Sequence, residues 1–299
     1  MWDTKIYSAI ILFTNKSYLN ILKQIGVVTV NYRSLDYTLQ FVQSVGKTLD
    51  NYLLVIVNNS PEDADKLKKL KNKNVVIINS KGNIGYSGGL NSGMKYIIEN
   101  TKIDWLLIGN NDVIITSEFV EKLPKLSDQN TIYSPVIMNV EDDIVQNTGG
   151  NVGIIYGGTI NINKGKLISE IKKVQPDFLS GCFLYFHKSI LDKVGYFDEE
   201  YESYFEDVDF SMRARKKGVK LEIVWDWLLR HYHSMSTKHN SGEKDYLIAR
   251  NAIYFAKKDL TSLKKYVFIL SSIVIGFFWV LPRPKNLPFY FKGVISGLL

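Results

Sequence analysis

Three short stretches of this sequence carry side chains able to do chemistry, and a fourth can assist them. The densest is Tyr204-Phe-Glu206-Asp207-Val-Asp209-Phe-Ser-Met-Arg213. Three carboxylates within four positions near a helix start favour the helix dipole, but they do not share one fate. Glu206 and Asp209 fall on one helix face and Asp207 on another. Arg213, four residues after Asp209, is spaced to pair with it, so Asp209 reads as structural. Tyr204, Phe205 and Phe210 supply apolar cover, and burial of adjacent carboxylates raises a pKa and makes a base.

The second stretch is Asn110-Asn111-Asp112, directly after an apolar run. A carboxylate at a strand end can hold a nucleotide–metal complex, or simply cap a turn. The third is Gly82-Asn-Ile-Gly85-Tyr-Ser-Gly88-Gly89. Its glycine spacing is superficially that of a dinucleotide fingerprint, which belongs after the first strand, whereas this loop follows the third. It suits close approach of backbone to a diphosphate or sugar at a helix start. The fourth is His231-Tyr-His233-Ser-Met-Ser236, which holds two of the chain's 4 histidines; His187 and His239 read as structural.

These stretches need elements to position them. Ile25–Val30, Tyr52–Val57, Asn74–Ile78 and Trp105–Ile108 read as buried strands. Helical spacing runs through Leu35–Leu49, Ala64–Leu70 and Gly88–Glu99. Short apolar strands alternating with helices predict a mostly parallel α/β sheet with helices on both faces. Ligands of such sheets sit beyond the carboxyl ends of the strands, here Asn31, Asn58-Asn59, Gly82–Gly89 and Asn110–Asp112, all polar or glycine-rich. Residues 132–174, with Gly149-Gly150 and Gly157-Gly158, read as short strands and hairpins on an acceptor side. Phe183–Phe186 and Lys220–Val224 read as strands, and Tyr204–Lys217 and Glu243–Lys258 as helices.

Both ends differ from this core. Ile6–Phe13 is apolar but too short to span a bilayer and poor as a signal peptide, so residues 1–24 read as an extension. Tyr266–Leu281 is almost continuously apolar, yet at 1.5 Å per residue reaches only roughly 24 Å. Lys257, Lys258, Lys264, Lys265, Arg283, Lys285 and Lys292 surround it. It reads as a core helix or as a segment lying in an anionic membrane face, the second being favoured because Leu287–Leu299 is apolar too. The expected division is therefore 1–24, 25–258 and 259–299.

With 45% hydrophobic and 13% aromatic residues the chain is not disordered, and its single cysteine, Cys182, excludes an internal disulfide framework. The net charge of +7 comes from scattered lysines, without a zinc-finger, RNP or basic-zipper pattern, so nucleic acid is not expected as a partner.

The ordered blocks VVTVNYRS, IVNNS, NIGYSGGLNSGM, LLIGNND, FLSGCFLYFHKSILDKVGYFDEEYESYFEDVDFSMRARKKG, RHYHSMS and ARNAIYF resemble glycosyltransferase family 2, most of all its rhamnosyltransferase-like branch of bacterial surface polysaccharide synthesis. The resemblance covers residues 25–258 and implies a GT-A Rossmann-like fold. It further implies inverting, metal-dependent transfer of a rhamnose-type sugar from a dTDP- or UDP-sugar to a lipid-linked or glycan acceptor, at the cytoplasmic face of the bacterial membrane. Asp112 matches the metal position, with Mg²⁺ or Mn²⁺ expected, and Asp207 the catalytic base, with Glu206 beside it. His231 matches a later histidine that completes the metal or diphosphate site, with His233 as its rival. Asn31 and Tyr32 fall where base and ribose are held. Asn59, Gly82, Asn83, Gly85, Gly88, Gly89, Asn91, Asn110 and Asn111 fall along the donor side. Asn58 replaces the family's usual aspartate, and its amide oxygen can still accept from a pyrimidine N3–H. Asn111 replaces a usual proline and leaves Asp112 the only carboxylate of its block. A non-catalytic nucleotide-sugar-binding protein and an NAD-type dehydrogenase are the rival readings, and oligomerisation stays open.

Overall fold

The computed structural model describes residues 24–232 and 241–299. The extension up to residue 23, His233 and His239 lie outside the described residues. In chain order the strands are β1 (Ile25–Asn31), β2 (Tyr52–Asn58), β3 (Val75–Asn79), β4 (Trp105–Gly109), β5 (Val113–Ile114), β6 (Thr131–Asn139), β7 (Val145–Asn147), β8 (Gly150–Gly153), β9 (Gly158–Asn161), β10 (Phe183–His187) and β11 (Lys220–His231). The helices are α1 (Leu35–Thr48), α2 (Ala64–Lys68), α3 (Gly85–Asn100), α4 (Ser117–Val120), α5 (Ser189–Val194), α6 (Glu206–Lys216), α7 (Ser241–Asp259), α8 (Ser262–Val280) and α9 (Leu287–Leu298).

Among the described residues one sheet runs β3-β2-β1-β4-β10-β6-β11-β5, with β7 on the flank of β6. β1, β2, β3 and β4 are mutually parallel, as their near-continuous apolar runs require when both faces are covered. Alternate residues of β1 feed the two faces: Val28 and Val30 pack under α3 with Leu90 and Met94, while Ile25 and Val27 pack with Phe41 and Val45 of α1. β10 runs antiparallel between β4 and β6, and β11 runs parallel to β6.

The middle of the chain is less peripheral than its composition suggests. Thr131–Asn139 is a nine-residue core strand, and only β8 and β9 form a separate hairpin. β11 extends well past Val224, to His231, because a shift in register between Val224 and Leu228 restarts its pairing with β6. The shift falls beside Pro135, which has no N–H to donate. α6 begins at Glu206, two residues later than expected, because Tyr204 and Phe205 hold left-handed backbone (φ 69° and 72°) that no helix accepts.

Beyond the sheet, α7, α8 and α9 pack together. Phe268 of α8 is fully buried among Tyr201, Phe205, Val208 and Phe255, and Val280, Tyr290 and Val294 pack on Ala249 and Ile253. The outward face of the pair is apolar and uncovered: Leu263, Tyr266, Leu270, Phe278 and Trp279 are exposed on α8, and Phe289, Phe291, Ile295 and Leu298 on α9.

Candidate active site

A cavity of about 530 Å³ opens at the carboxyl ends of β1 and β4. The topology explains why two residues 119 apart in sequence meet in it. After Asp112 the chain turns into β5, which pairs antiparallel with the end of β11, His231 opposite Val113. The Tyr232 N–H donates to the Asp112 carbonyl (2.8 Å). His231 Nε2 then lies 3.0 Å from Asp112 Oδ1 and 3.3 Å from Asn110 Nδ2. On the ring's far side, Nδ1 is 2.6 Å from Gln146 Oε1, and the same amide donates from Nε2 to the His231 carbonyl (2.8 Å). That second bond orients the Gln146 amide, so Nδ1 carries the hydrogen and Nε2 is turned toward Asp112. Burial opposes charge on His231, but Cys182 and Asp112 outweigh it and raise its pKa to about 11, so Nε2 also holds a proton toward Asp112, which a cation binding there would displace. A carboxylate oxygen and an anchored imidazole nitrogen, side by side at the cavity wall, suit a hard divalent cation. Among the described residues no group of three His, Cys, Asp or Glu is arranged to hold a cation.

The acidic stretch lines the same cavity. Asp207 accepts from the Gly181 N–H through Oδ2 (2.8 Å) and from the Val208 N–H through Oδ1 (2.9 Å). Burial raises its pKa, against the lowering by those N–H groups. Glu206 is 5% exposed, and its Oε2 has no hydrogen-bond partner. Burial first, and the neighbouring Asp207 second, hold its pKa well above the ordinary range. Of the adjacent pair, Glu206 is therefore held more strongly toward its protonated form than Asp207, whose two N–H partners favour the anion. Asp209 is fully buried, with Arg213 at 2.7 Å and Lys258 at 2.7 Å, as its structural reading requires.

The remaining expected residues divide. Tyr32, Asn59, Asn83, Gly85, Asn110 and Asn111 line the cavity, whereas Asn31, Asn58, Gly82, Gly88, Gly89 and Asn91 do not. Asn31 and Asn58 are buried beneath it and bond each other, Asn31 Nδ2 to Asn58 Oδ1 at 2.9 Å. Asn58 Oδ1 also accepts from the Ser60 N–H. That oxygen, expected to meet a pyrimidine N3–H, is engaged inside the protein. Asn91 bonds the Phe197 carbonyl and Glu199. A Cβ on Gly89 would sit 2.6 Å from Val30, so this glycine lets α3 lie close on β1. Gly85 has φ +75°, and a Cβ there would meet the Glu202 backbone at 2.8 Å.

Several cavity residues escaped the sequence reading. Gln146 orients His231 from β7. Tyr86 is half-buried and donates to the Gly181 carbonyl (3.0 Å). Lys244 and Glu202 also line the cavity. Gln146 and Lys244 carry no local signal; Tyr86, Glu202 and Ser180-Gly-Cys182 lay inside blocks already singled out, without a role given to them.

The model of Glycosyl transferase family 2 matches residues 26–195, more than half of the 299 residues. The chain is 26% identical over 212 residues to the low-salt glycan biosynthesis hexosyltransferase Agl10 of Haloferax volcanii, covering 70% of this chain and 67% of that protein. It is 21% identical over 254 residues to the rhamnosyltransferase WbbL of Escherichia coli, covering 80% and 96%. Among solved structures it resembles the mannosyltransferase PcManGT from Pyrobaculum calidifontis in complex with GDP-Man and Mn2+ (TM-score 0.57, 11% identity, 93% of this chain and 76% of that one). It also resembles S. aureus TarS 1-349 in complex with UDP-GlcNAc (TM-score 0.54, 16% identity, 91% and 79%). At these identities the structural likeness is one of fold. The curled, mostly parallel sheet, the cavity at its strand ends and the family match agree: the chain belongs to glycosyl transferase family 2 and is a glycosyltransferase of GT-A-like fold.

Proposed function

We propose that this enzyme moves a hexose, rhamnose first among the candidates, from a nucleotide sugar to a hydroxyl of a lipid-linked or glycan acceptor, with inversion and with Mg²⁺ or Mn²⁺. The observation that carries the reading is the meeting of two unlike groups in one cavity: the Asp112–His231 pair, and Asp207 held by the Gly181 N–H. The rhamnose preference rests on the likeness to WbbL, and donor binding on the neighbours solved with UDP-GlcNAc and GDP-Man. With Asn58 turned inward, no residue here argues for one base over another.

Asp112 and His231 would hold the cation, which when bound supplies Lewis-acid neutralisation of the leaving diphosphate. Asp207 takes the acceptor hydroxyl's proton as that oxygen attacks the anomeric carbon. The bond to the diphosphate oxygen breaks on the opposite face, and its electron pair leaves with the nucleoside diphosphate. The Gly181 and Val208 N–H groups fix both Asp207 oxygens, so orientation is set before the acceptor arrives. Glu206 beside it, held toward its protonated form by burial, would offer a hydrogen bond to a sugar oxygen. Residues 25–258 carry this chemistry.

Residues 259–299 place the enzyme on the cytoplasmic face of the membrane. α8 is long and apolar enough to cross a bilayer, and 11% of its apolar window is buried. The β8–β9 hairpin favours a helix lying in the interface over one spanning it, because Gly157 touches the backbone of Ser271 and Ser272 at mid-helix.

The test is release of nucleoside diphosphate by the full-length protein from a panel of dTDP-rhamnose, UDP-glucose, UDP-N-acetylglucosamine and GDP-mannose, with and without Mn²⁺. Turnover of dTDP-rhamnose above the others, stopped by chelation, is expected. Equal turnover in chelator overturns the metal assignment, and a different preferred donor overturns rhamnose.

A further inference from the structure

The turn from Tyr201 to Phe205, which presents Glu206 and Asp207 to the cavity, is held in an unfavourable backbone conformation. Glu202 (φ 58°), Tyr204 (φ 69°) and Phe205 (φ 72°) are all in the left-handed half of the map, and none is glycine. Such a conformation persists only when its surroundings over-determine it.

Two consecutive residues of α7 do so. Asn251, fully buried, donates from Nδ2 to the carbonyls of Tyr201, Ser203 and Tyr204, each at 2.8 Å. Arg250 donates from Nη1 to Glu202 Oε1 (2.7 Å) and from Nη2 to the carbonyls of Glu200 (2.7 Å) and Tyr201 (3.1 Å). Its Nε donates to Asn251 Oδ1 (2.9 Å), which fixes the direction in which the Asn251 amide points. From the other side, the Tyr86 and Ser87 N–H groups at the start of α3 donate to the Glu202 carbonyl. The turn is thus gripped between α3 and α7.

α7 is in turn seated from behind. A Cβ on Gly297 of α9 would lie 2.8 Å from the Arg250 carbonyl, and one on Gly293 would lie 2.3 Å from the Tyr246 carbonyl. The C-terminal helix therefore packs backbone to backbone at the height of the gripping pair.

We propose that Arg250 and Asn251 are positioning residues for the transfer step: they touch no reacting atom, but hold the left-handed turn that aims Asp207 at the acceptor hydroxyl. This rests on the reading of Asp207 as the base. It assigns a chemical role to the α7 segment that lies beyond the family-matched residues 26–195.

The experiment measures kcat and donor KM for nucleoside diphosphate release by the full-length protein, per folded molecule, using whichever nucleotide sugar of the panel above the wild-type enzyme turns over. A misplacement of about 1 Å costs about a hundredfold. Arg250→Ala and Asn251→Asp are expected to lose about tenfold to a hundredfold in kcat, with donor KM held within about twofold. Arg250→Lys, which keeps the charge but not the planar fork, is expected to recover part of the loss. A merely structural role would lower the yield of folded enzyme and leave kcat per folded molecule unchanged; that result overturns the proposal. An equal loss in donor affinity overturns it as well. Should Arg250→Ala not fold, Glu202→Gln weakens the same grip from a half-exposed side chain and is read in the same way. Normal turnover in Asp207→Asn, or none from any donor with the wild-type enzyme, overturns the underlying reading of the base or of the transferase, not the grip alone.

Discussion

Two adjacent carboxylates of nearly equal chemistry are made unequal by their surroundings. Asp207 receives two backbone N–H groups, and Glu206 receives none at Oε2. Asp207→Asn removes the basic lone pair and should lower kcat by about 10²- to 10⁴-fold with donor affinity kept. Glu206→Gln keeps the shape of a carboxyl already held toward its protonated form and should retain most activity; the reverse ranking in steady-state kinetics would exchange their roles. Glu206 also makes a stability prediction. Its folded pKa lies above the unfolded value of 4.5. Above that unfolded value the native state holds a proton that the unfolded chain has released. Stability therefore falls as pH rises toward the folded pKa. Glu206→Gln removes that decline, so the variant's gain in Tm should be absent near pH 4 and grow toward alkaline pH in thermal melts. In the same cavity, Asp112→Ala should abolish Mn²⁺-dependent donor binding in calorimetry, and His231→Ala should weaken it less. Unchanged affinity in both would remove them from the cation site.

At the scale of elements, the site depends on how α3, the 201–205 turn and β11 meet. Gly85 opens α3 against the Glu202 backbone with φ +75°. Gly85→Ala adds a Cβ where 2.8 Å is left and imposes a left-handed conformation on alanine, so it should cost roughly 1–3 kcal/mol in denaturant melts. Because the turn must move with α3, kcat should fall as well. β11 shows why a strand end is harder to read than a strand. Its first five residues alternate plainly, but the Trp225–Trp227 shift breaks the alternation, and only pairing with β6 and β5 carries the strand on to His231.

At the scale of the molecule, the C-terminal helices serve two surfaces. Inward, Phe268 fills the cluster that holds Tyr201 and Phe205, so deletion of residues 262–299 should cost the catalytic turn its support. Outward, the exposed apolar face is free for a membrane. Fewer lysines are available there than the sequence suggests. Lys257 bonds the carbonyls of Gly297 and Leu298, Lys258 bridges Asp198 and Asp209, and Arg283 pairs with Asp245. That leaves Lys264, Lys265, Lys285 and Lys292, at about 1 kcal/mol each near an anionic surface. Binding to anionic vesicles should be partly salt-resistant through the apolar face. Phe278→Glu with Trp279→Glu should release the protein while leaving nucleotide release intact. Sedimentation with vesicles checks this, and unaltered binding would place the contact elsewhere.

The sequence alone determined the four parallel strands β1 to β4 and β10, because an apolar run buried on both faces has a period and length that local composition dictates. It also pointed to carboxylates that line the cavity, since Asp112 and Glu206–Asp207 each sit at the mouth of an element visible in the pattern. What only the tertiary structure decided is which polar residues face the cavity. Asn31 and Asn58 look as available as Asn59, yet a strand's last residue turns inward or outward with the register of its neighbours, and these two turn to each other. The partnership of Asp112 with His231, the anchoring by Gln146 and the grip of Arg250 and Asn251 on the catalytic turn join segments 119, 85 and about 50 residues apart. No local propensity encodes such contacts. They exist because β5 returns along β11 and because α9 seats α7 against the turn.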